Sequence, residues 1–285
     1  MRYRTVHTTS YQYQQPVAQC QNEVRLTPCS LPHQRVRETH IHVQPEPSLI
    51  EPHMDYFGNR VTYFAIFQRH ERLTVTATSL VEVDAAEPEI EFPLPWEVAR
   101  DQLSRAADDA CLKASEFVFD SPYVAAGAEL ADYACPSFSS GRPLLDAVRE
   151  LSHRVHTEFV YAPKSTSIDM PLPEVLRNRR GVCQDFAHIM IGALRSLGLA
   201  ARYVSGYLRS GKQYPGAEAS HAWMSVFIPG SGWHSFDPTN NVRPSEGHVT
   251  LAFGRDYGDV TPVKGVTLGG EDQVVDVQVS VQPVA

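Results

Sequence analysis

The chain has 285 residues, 42% of them hydrophobic and 20% charged, a balance typical of water-soluble globular proteins and unlike that of disordered or fibrous chains. Its 25 basic and 33 acidic residues leave a net charge of −8, which argues against nucleic acid or an anionic membrane as the main partner. The length exceeds the usual span of one compact core, so two domains, or one domain with an appended sandwich, are expected.

The first fourteen residues, MRYRTVHTTSYQYQ, lack the apolar centre of a signal peptide, and no stretch reaches the ~18 apolar residues of a membrane helix. A cytoplasmic location is the resulting expectation. Residues 1–84 read as an all-β, sandwich-like N-terminal domain. Its strands are Arg4 to Tyr13, Arg35 to Val43, Asn59 to Gln68 and Leu73 to Val83, rich in Thr, Val, Tyr and Phe, with a chain reversal at Gly58-Asn59. Residues 85–96 turn acidic and proline-rich (EPEIEFPLPW) and suit an extended linker.

From Glu97 to the end, 97–285, the pattern predicts a second domain that is helical first and then stranded. One helix spans Arg142 to Phe159, with Pro143 in its first turn and Leu144, Leu145, Val148, Leu151, Val155 and Phe159 on one face. Another runs from Val182 to Leu197, carries Phe186, Ile189, Met190, Ala193, Leu194 and Leu197 at helical spacing, and has Gly198 available to cap it. Cys183 falls in its first turn. Strands follow at Ala200 to Leu208, His221 to Ile228 and Trp233 to Asp237, separated by the loop SGKQYPG (210–216) and a Pro-Gly-Ser-Gly turn. Alternating valines from Val274 to Val281 predict a further strand near the end.

The five cysteines, Cys20, Cys29, Cys111, Cys135 and Cys183, show no CxxC spacing, so reduced thiols are expected, one of them reactive. A thiol attacks carbonyls only as thiolate, and bringing a cysteine from about 8.5 to below 7 takes roughly 2 kcal/mol. A helix N-terminus supplies only ~0.3–1 kcal/mol at a partly exposed site, so a histidine partner is required, itself held by a carboxylate or amide. Among twelve histidines, His221 stands at the start of a predicted strand and Asp237 at the end of the next, where a hairpin can join them. A symmetric turn about Gly230 and Ser231 would set Asp237 opposite Met224, on the wrong face, so a bulge or an asymmetric loop is needed.

His188, five residues beyond Cys183, points about 140° away from it around the helix and is not the expected base. Asp185 is read as supporting the helix start. His40 and His42 share a strand face without an evident third metal ligand. Trp223 and Trp233 either pack the sheet or line a groove, and Arg255, Asp256 and Tyr257 form either a cleft wall or a salt-bridged corner.

Four motifs, Gly181-Val182-Cys183-Gln184-Asp185-Phe186-Ala187, Ala201-Arg202-Tyr203-Val204-Ser205-Gly206-Tyr207, Ser220-His221-Ala222-Trp223 and Gly232-Trp233-His234-Ser235-Phe236-Asp237-Pro238-Thr239, resemble the core of the transglutaminase-like superfamily in order and content. They span about residues 145–245. The β-rich N-terminal region and Gly254-Arg255-Asp256-Tyr257 are similar to segments of bacterial members. The resemblance implies an α+β fold with a papain-like core, in which a helix bearing Cys183 packs on an antiparallel sheet, and a catalytic triad of Cys183, His221 and Asp237. It further implies a peptide, protein or small-amide substrate and no cofactor or metal. The superfamily holds hydrolases, amine-transferring enzymes and inactive members, so hydrolysis, amine transfer and silent peptide binding all stay open.

Overall fold

The computed structural model describes residues 1–85, 93–163, 170–211 and 219–284. Most of the predicted linker, at 86–92, and most of the predicted loop at 210–216 lie outside the described residues.

The chain begins with five antiparallel strands, β1 (Arg2–Val24), β2 (Gln34–Gln44), β3 (Leu49–Met54), β4 (Arg60–Ile66) and β5 (His70–Val83). The helical region contains α1 (Trp96–Ser104), α2 (Asp109–Ala114), α3 (Ala128–Ala134) and α4 (Leu144–Glu158). Strand β6 (Val160–Tyr161), helix α5 (Leu172–Asn178) and strand β7 (Arg180–Gly181) lead into α6 (Cys183–Ser196). After it come β8 (Ala201–Leu208), β9 (His221–Ile228), β10 (Gly232–Phe236), β11 (His248–Gly254), α7 (Tyr257–Val260), β12 (Val263–Gly269) and β13 (Gln273–Pro283).

Two main sheets result. The N-terminal one has the order β2-β5-β1-β4-β3, and β12 and β13 also pair with β1. The last strands, grouped by the sequence reading with 97–285, therefore complete the N-terminal sheet, with Tyr3 opposite Pro283 and Tyr13 opposite Gln273. Strand β1 is shared through its two edges, and its side chains alternate between faces: Tyr3, Thr5, His7, Thr9 and Tyr13 are buried while their neighbours face outward.

The second sheet, β10-β9-β8-β11, carries α6 on one face. Helix α6 is buried along nearly its whole length, from Asp185 to Arg195, because helices cover the side that the sheet does not. Gly192 permits that approach, since a Cβ there would stand 2.9 Å from Leu130 of α3 and 3.2 Å from Leu172 of α5. Helix α4 turns Leu144, Val148, Leu151 and Val155 inward, the stripe read from its sequence.

Buried polar side chains fasten the two sheets to each other. Gln34 donates to the carbonyls of Cys29 (2.7 Å) and Thr250 (2.8 Å) and accepts from Thr250 N–H at 2.8 Å. Asn59 bridges the Asp55 turn to Phe253 on β11, donating to its carbonyl at 2.7 Å and accepting from its N–H at 2.8 Å. His7 Nδ1 and the Tyr207 hydroxyl share a hydrogen bond at 3.0 Å, and burial pushes this histidine down to about 4, so it stays neutral. Among the described residues no helix is long and apolar enough to cross a membrane.

Candidate active site

Cys183 is the first residue of α6, preceded by Val182 in extended conformation at φ −114° and ψ −179°. The abrupt start is locally encoded. Asp185 reaches back to accept the Val182 N–H at 2.8 Å, which satisfies a donor the helix leaves unpaired and places negative charge at its positive end. Gly181 is required for this, because a Cβ there would lie 2.6 Å from Asp185 Oδ2. Parallel pairing of Tyr161 with Gly181 then holds the segment before α4's successor helix α5 against the entry to α6.

His221 opens β9, opposite Gly206 of β8. The hairpin that carries Asp237 toward it has three loop residues, Pro229 to Ser231, because Ile228 pairs with Gly232. Gly230 (φ +79°) and Gly232 (φ +87°) supply the left-handed backbone that this loop needs. Phe236, not Asp237, consequently faces Met224, and Asp237 falls on the face shared by His221 and Trp223. The odd loop resolves the register conflict seen in the sequence.

His221 Nε2 donates to Asp237 Oδ2 at 2.8 Å, with both side chains fully buried. An ionised carboxylate only accepts, so Nε2 carries the proton and Nδ1 is left for exchange. Nδ1 has no hydrogen-bond partner among the described residues, and the charge of Cys183 favours the protonated ring. Burial alone would lower His221, but the Asp237 carboxylate and Cys183 outweigh it and push the imidazole up to about 10. Burial would likewise raise Asp237, yet His221 and His248 hold it well below the usual carboxylate range.

All five cysteines are unpaired. Cys20, Cys29 and Cys111 are buried and burial pushes their thiols up, Cys29 to about 12, whereas Cys183 is half-buried at the helix mouth. Two tyrosines are coupled to Cys183 by charge. Burial, followed by the charges of Cys183 and Asp237, pushes Tyr161 up to about 12; burial, followed by Cys183 and its neighbours, raises Tyr203 well above the ordinary value.

The other candidates divide cleanly. His188 accepts the Tyr257 N–H at 3.1 Å, lies between the rings of Tyr123 and Tyr203, and is pushed down to about 4 by burial. Arg255 grips Asp259 through two nitrogens at 2.9 and 3.0 Å, and Asp256 accepts from Tyr123 N–H and Gly258 N–H at 2.8 Å each, so this pair forms a corner. Tyr257 extends from that corner toward Tyr203, with ring centroids 6.4 Å apart. Trp223 and Trp233 both pack, Trp223 over Gly206 and Trp233 against Phe117 and Phe227. His40 is an exposed partner of Glu38.

The sequence reading did not single out Asn240 or His248, both of which donate to Asp237 Oδ2, at 2.7 and 3.2 Å. Asn240 sits in the turn that Asp237 itself organises, three residues on. For His248 the available signal was a histidine opening a mostly apolar strand, HVTLAFG.

A cysteine at the mouth of a helix that packs on an antiparallel sheet, with a buried imidazole–carboxylate pair carried by that sheet, defines a papain-like α+β core. Residues 133–238 match the transglutaminase-like superfamily and residues 3–82 the bacterial transglutaminase-like N-terminal region. The chain belongs to the transglutaminase-like superfamily. An uncharacterised Mycobacterium tuberculosis protein is 37% identical over 296 residues, 99% of this chain and 93% of that protein. A protein-glutamine gamma-glutamyltransferase of Pseudomonas aeruginosa is 34% identical over 98 residues, 31% of this chain and 14% of that protein. The crystal structure of a candidate cysteine protease from Cytophaga hutchinsonii superposes with a TM-score of 0.77 at 21% identity, covering 100% of this chain and 92% of that one, a likeness of fold.

Proposed function

We propose that the chain is a cysteine-dependent acyl-transfer enzyme acting on amide bonds, with Cys183 as nucleophile, His221 as proton carrier and Asp237 as the group that orients the imidazole. The buried 2.8 Å His221–Asp237 pair, which leaves Nδ1 to the thiol, carries this reading. His221 takes the thiol proton and the thiolate attacks the carboxamide carbon. The oxygen that becomes negative is met by the Cys183 N–H at the positive end of α6. His221 then returns its proton to the departing nitrogen as the C–N bond breaks, leaving a thioester on Cys183. Water, deprotonated by the same imidazole, releases the acid and regenerates the thiol. None of these steps calls on a metal or cofactor, and the substrate is a peptide, a protein or a small amide.

A second reading replaces that water with an amine, and the name of the Pseudomonas aeruginosa relative favours it. A glutaminyl peptide incubated with the protein and a labelled amine separates the two. Ammonia release without label incorporation supports hydrolysis, and incorporation supports transfer. Neither product, together with alkylation of Cys183 near pH 6 no faster than that of an ordinary thiol, would leave a silent peptide-binding module.

A further inference from the structure

Asp237 is held by more than the histidine that faces the thiol. Its Oδ1 accepts the N–H groups of Thr239 and Asn240 at 3.0 and 3.2 Å, which fixes the turn. Its Oδ2 accepts from His221 Nε2 at 2.8 Å, Asn240 Nδ2 at 2.7 Å and His248 Nε2 at 3.2 Å. His248 opens β11, two strands from β9 in the order β10-β9-β8-β11, and is only 4% exposed.

The intervening strand makes the convergence possible. At the level of His221, β8 carries Gly206, and the Trp223 ring lies across it so closely that a Cβ would stand 2.2 Å from the indole. That ring meets His248 edge-on at 5.3 Å between centroids and lies 6.1 Å from the ring of His221. Glycine and indole thus form a floor over which two imidazoles from different strands reach one carboxylate oxygen.

A carboxylate only accepts, so the nitrogen that each imidazole turns toward Asp237 bears a proton. The donor from β11 restrains rotation of the carboxylate and lowers the proton affinity of Oδ2, which keeps the Nε2 proton on His221. We infer that His248 is a positioning residue of the thiol site, holding Asp237 ionised and aimed at His221 and thereby sustaining the Cys183–His221 ion pair. This inference rests on the function proposed above.

The test is the second-order rate of iodoacetamide alkylation at Cys183 as a function of pH, read by mass spectrometry with Cys183→Ala as blank and circular dichroism as a check on folding. In His248→Ala the acid limb of the profile moves up by about one pH unit, roughly a tenfold loss of rate near pH 6. His248→Gln, which restores an N–H donor, recovers most of that loss. Should the alanine variant not fold, His248→Asn, whose amide is too short to reach Asp237, takes its place with the same shift expected. A purely structural role would lower the melting temperature and leave the limb in place. An unmoved limb in the folded alanine or asparagine variant, or a glutamine variant displaced as far as they are, overturns the inference. Slow alkylation of the unaltered protein, indifferent to His221→Ala, would overturn the proposed function and the role of His248 with it.

Discussion

Replacing Asp237 by Asn removes a negative charge 2.8 Å from His221 Nε2 while nearly preserving shape. The amide oxygen can still accept the Thr239 and Asn240 N–H groups, but the amide nitrogen then occupies the place where donors from His221, Asn240 and His248 converge. Donor meets donors, and burial of the imidazolium acts with little opposition. The rise of His221 from 6.5 to about 10 corresponds to about 5 kcal/mol in favour of the imidazolium, with the Asp237 charge the largest contribution that raises it. Losing half of that, roughly 2–3 kcal/mol, depletes the thiolate–imidazolium pair about 30- to 150-fold. Alkylation of Cys183 by iodoacetamide at pH 6 should slow by that order in Asp237→Asn, and the deficit should shrink in alkaline solution, where cysteines ionise without a partner. A folded variant that alkylates at the parent rate at pH 6 would refute the reasoning.

Gly206→Ala should cost at least ~1–3 kcal/mol, because its Cβ would meet both Trp223 and the Val249 carbonyl, which is backbone and cannot turn aside; an unchanged melting temperature contradicts this. Gln34→Leu strands the Thr250 N–H and the Cys29 carbonyl, while the Thr250 carbonyl keeps the Cys29 N–H at 3.0 Å, an expected loss of several kcal/mol at ~1–3 kcal/mol per orphaned group, measurable by urea unfolding. His221 stands at about 10 in the fold against 6.5 unfolded, so its stabilisation is whole below pH 6.5 and falls away as pH climbs through 10. The gap in melting temperature between the parent and His221→Gln should therefore narrow from pH 6 to pH 10, and a constant gap would contradict the raised value.

Elements with strong local periodicity were legible. The strand His221–Ile228 falls where it was expected, and α6 and α4 differ from their predicted spans by one or two residues at each end. Elements defined by distant partners were not. Strand β3 is an exposed edge with Pro52 inside it and no alternation of burial, so nothing in its sequence announces pairing. Strand β1 continues past Pro16 to Val24 because shifts of register near Val17 absorb the interruption. The valines of β13 reveal a strand but not that its neighbour is β1. The same division holds at the site. Cys183, His221 and Asp237 could be proposed from a helix start and a hairpin, whereas His248 comes from another strand and meets Asp237 only after the sheet has assembled.

Strand β1 leaves the ribosome well before β13 and passes that interval without its companion. Over residues 3–13, β1 lies between β5, available early, and β13, translated about 270 residues after it. Until then one long edge of β1 stays open, an invitation to pair with another chain that is withdrawn only when β13 arrives.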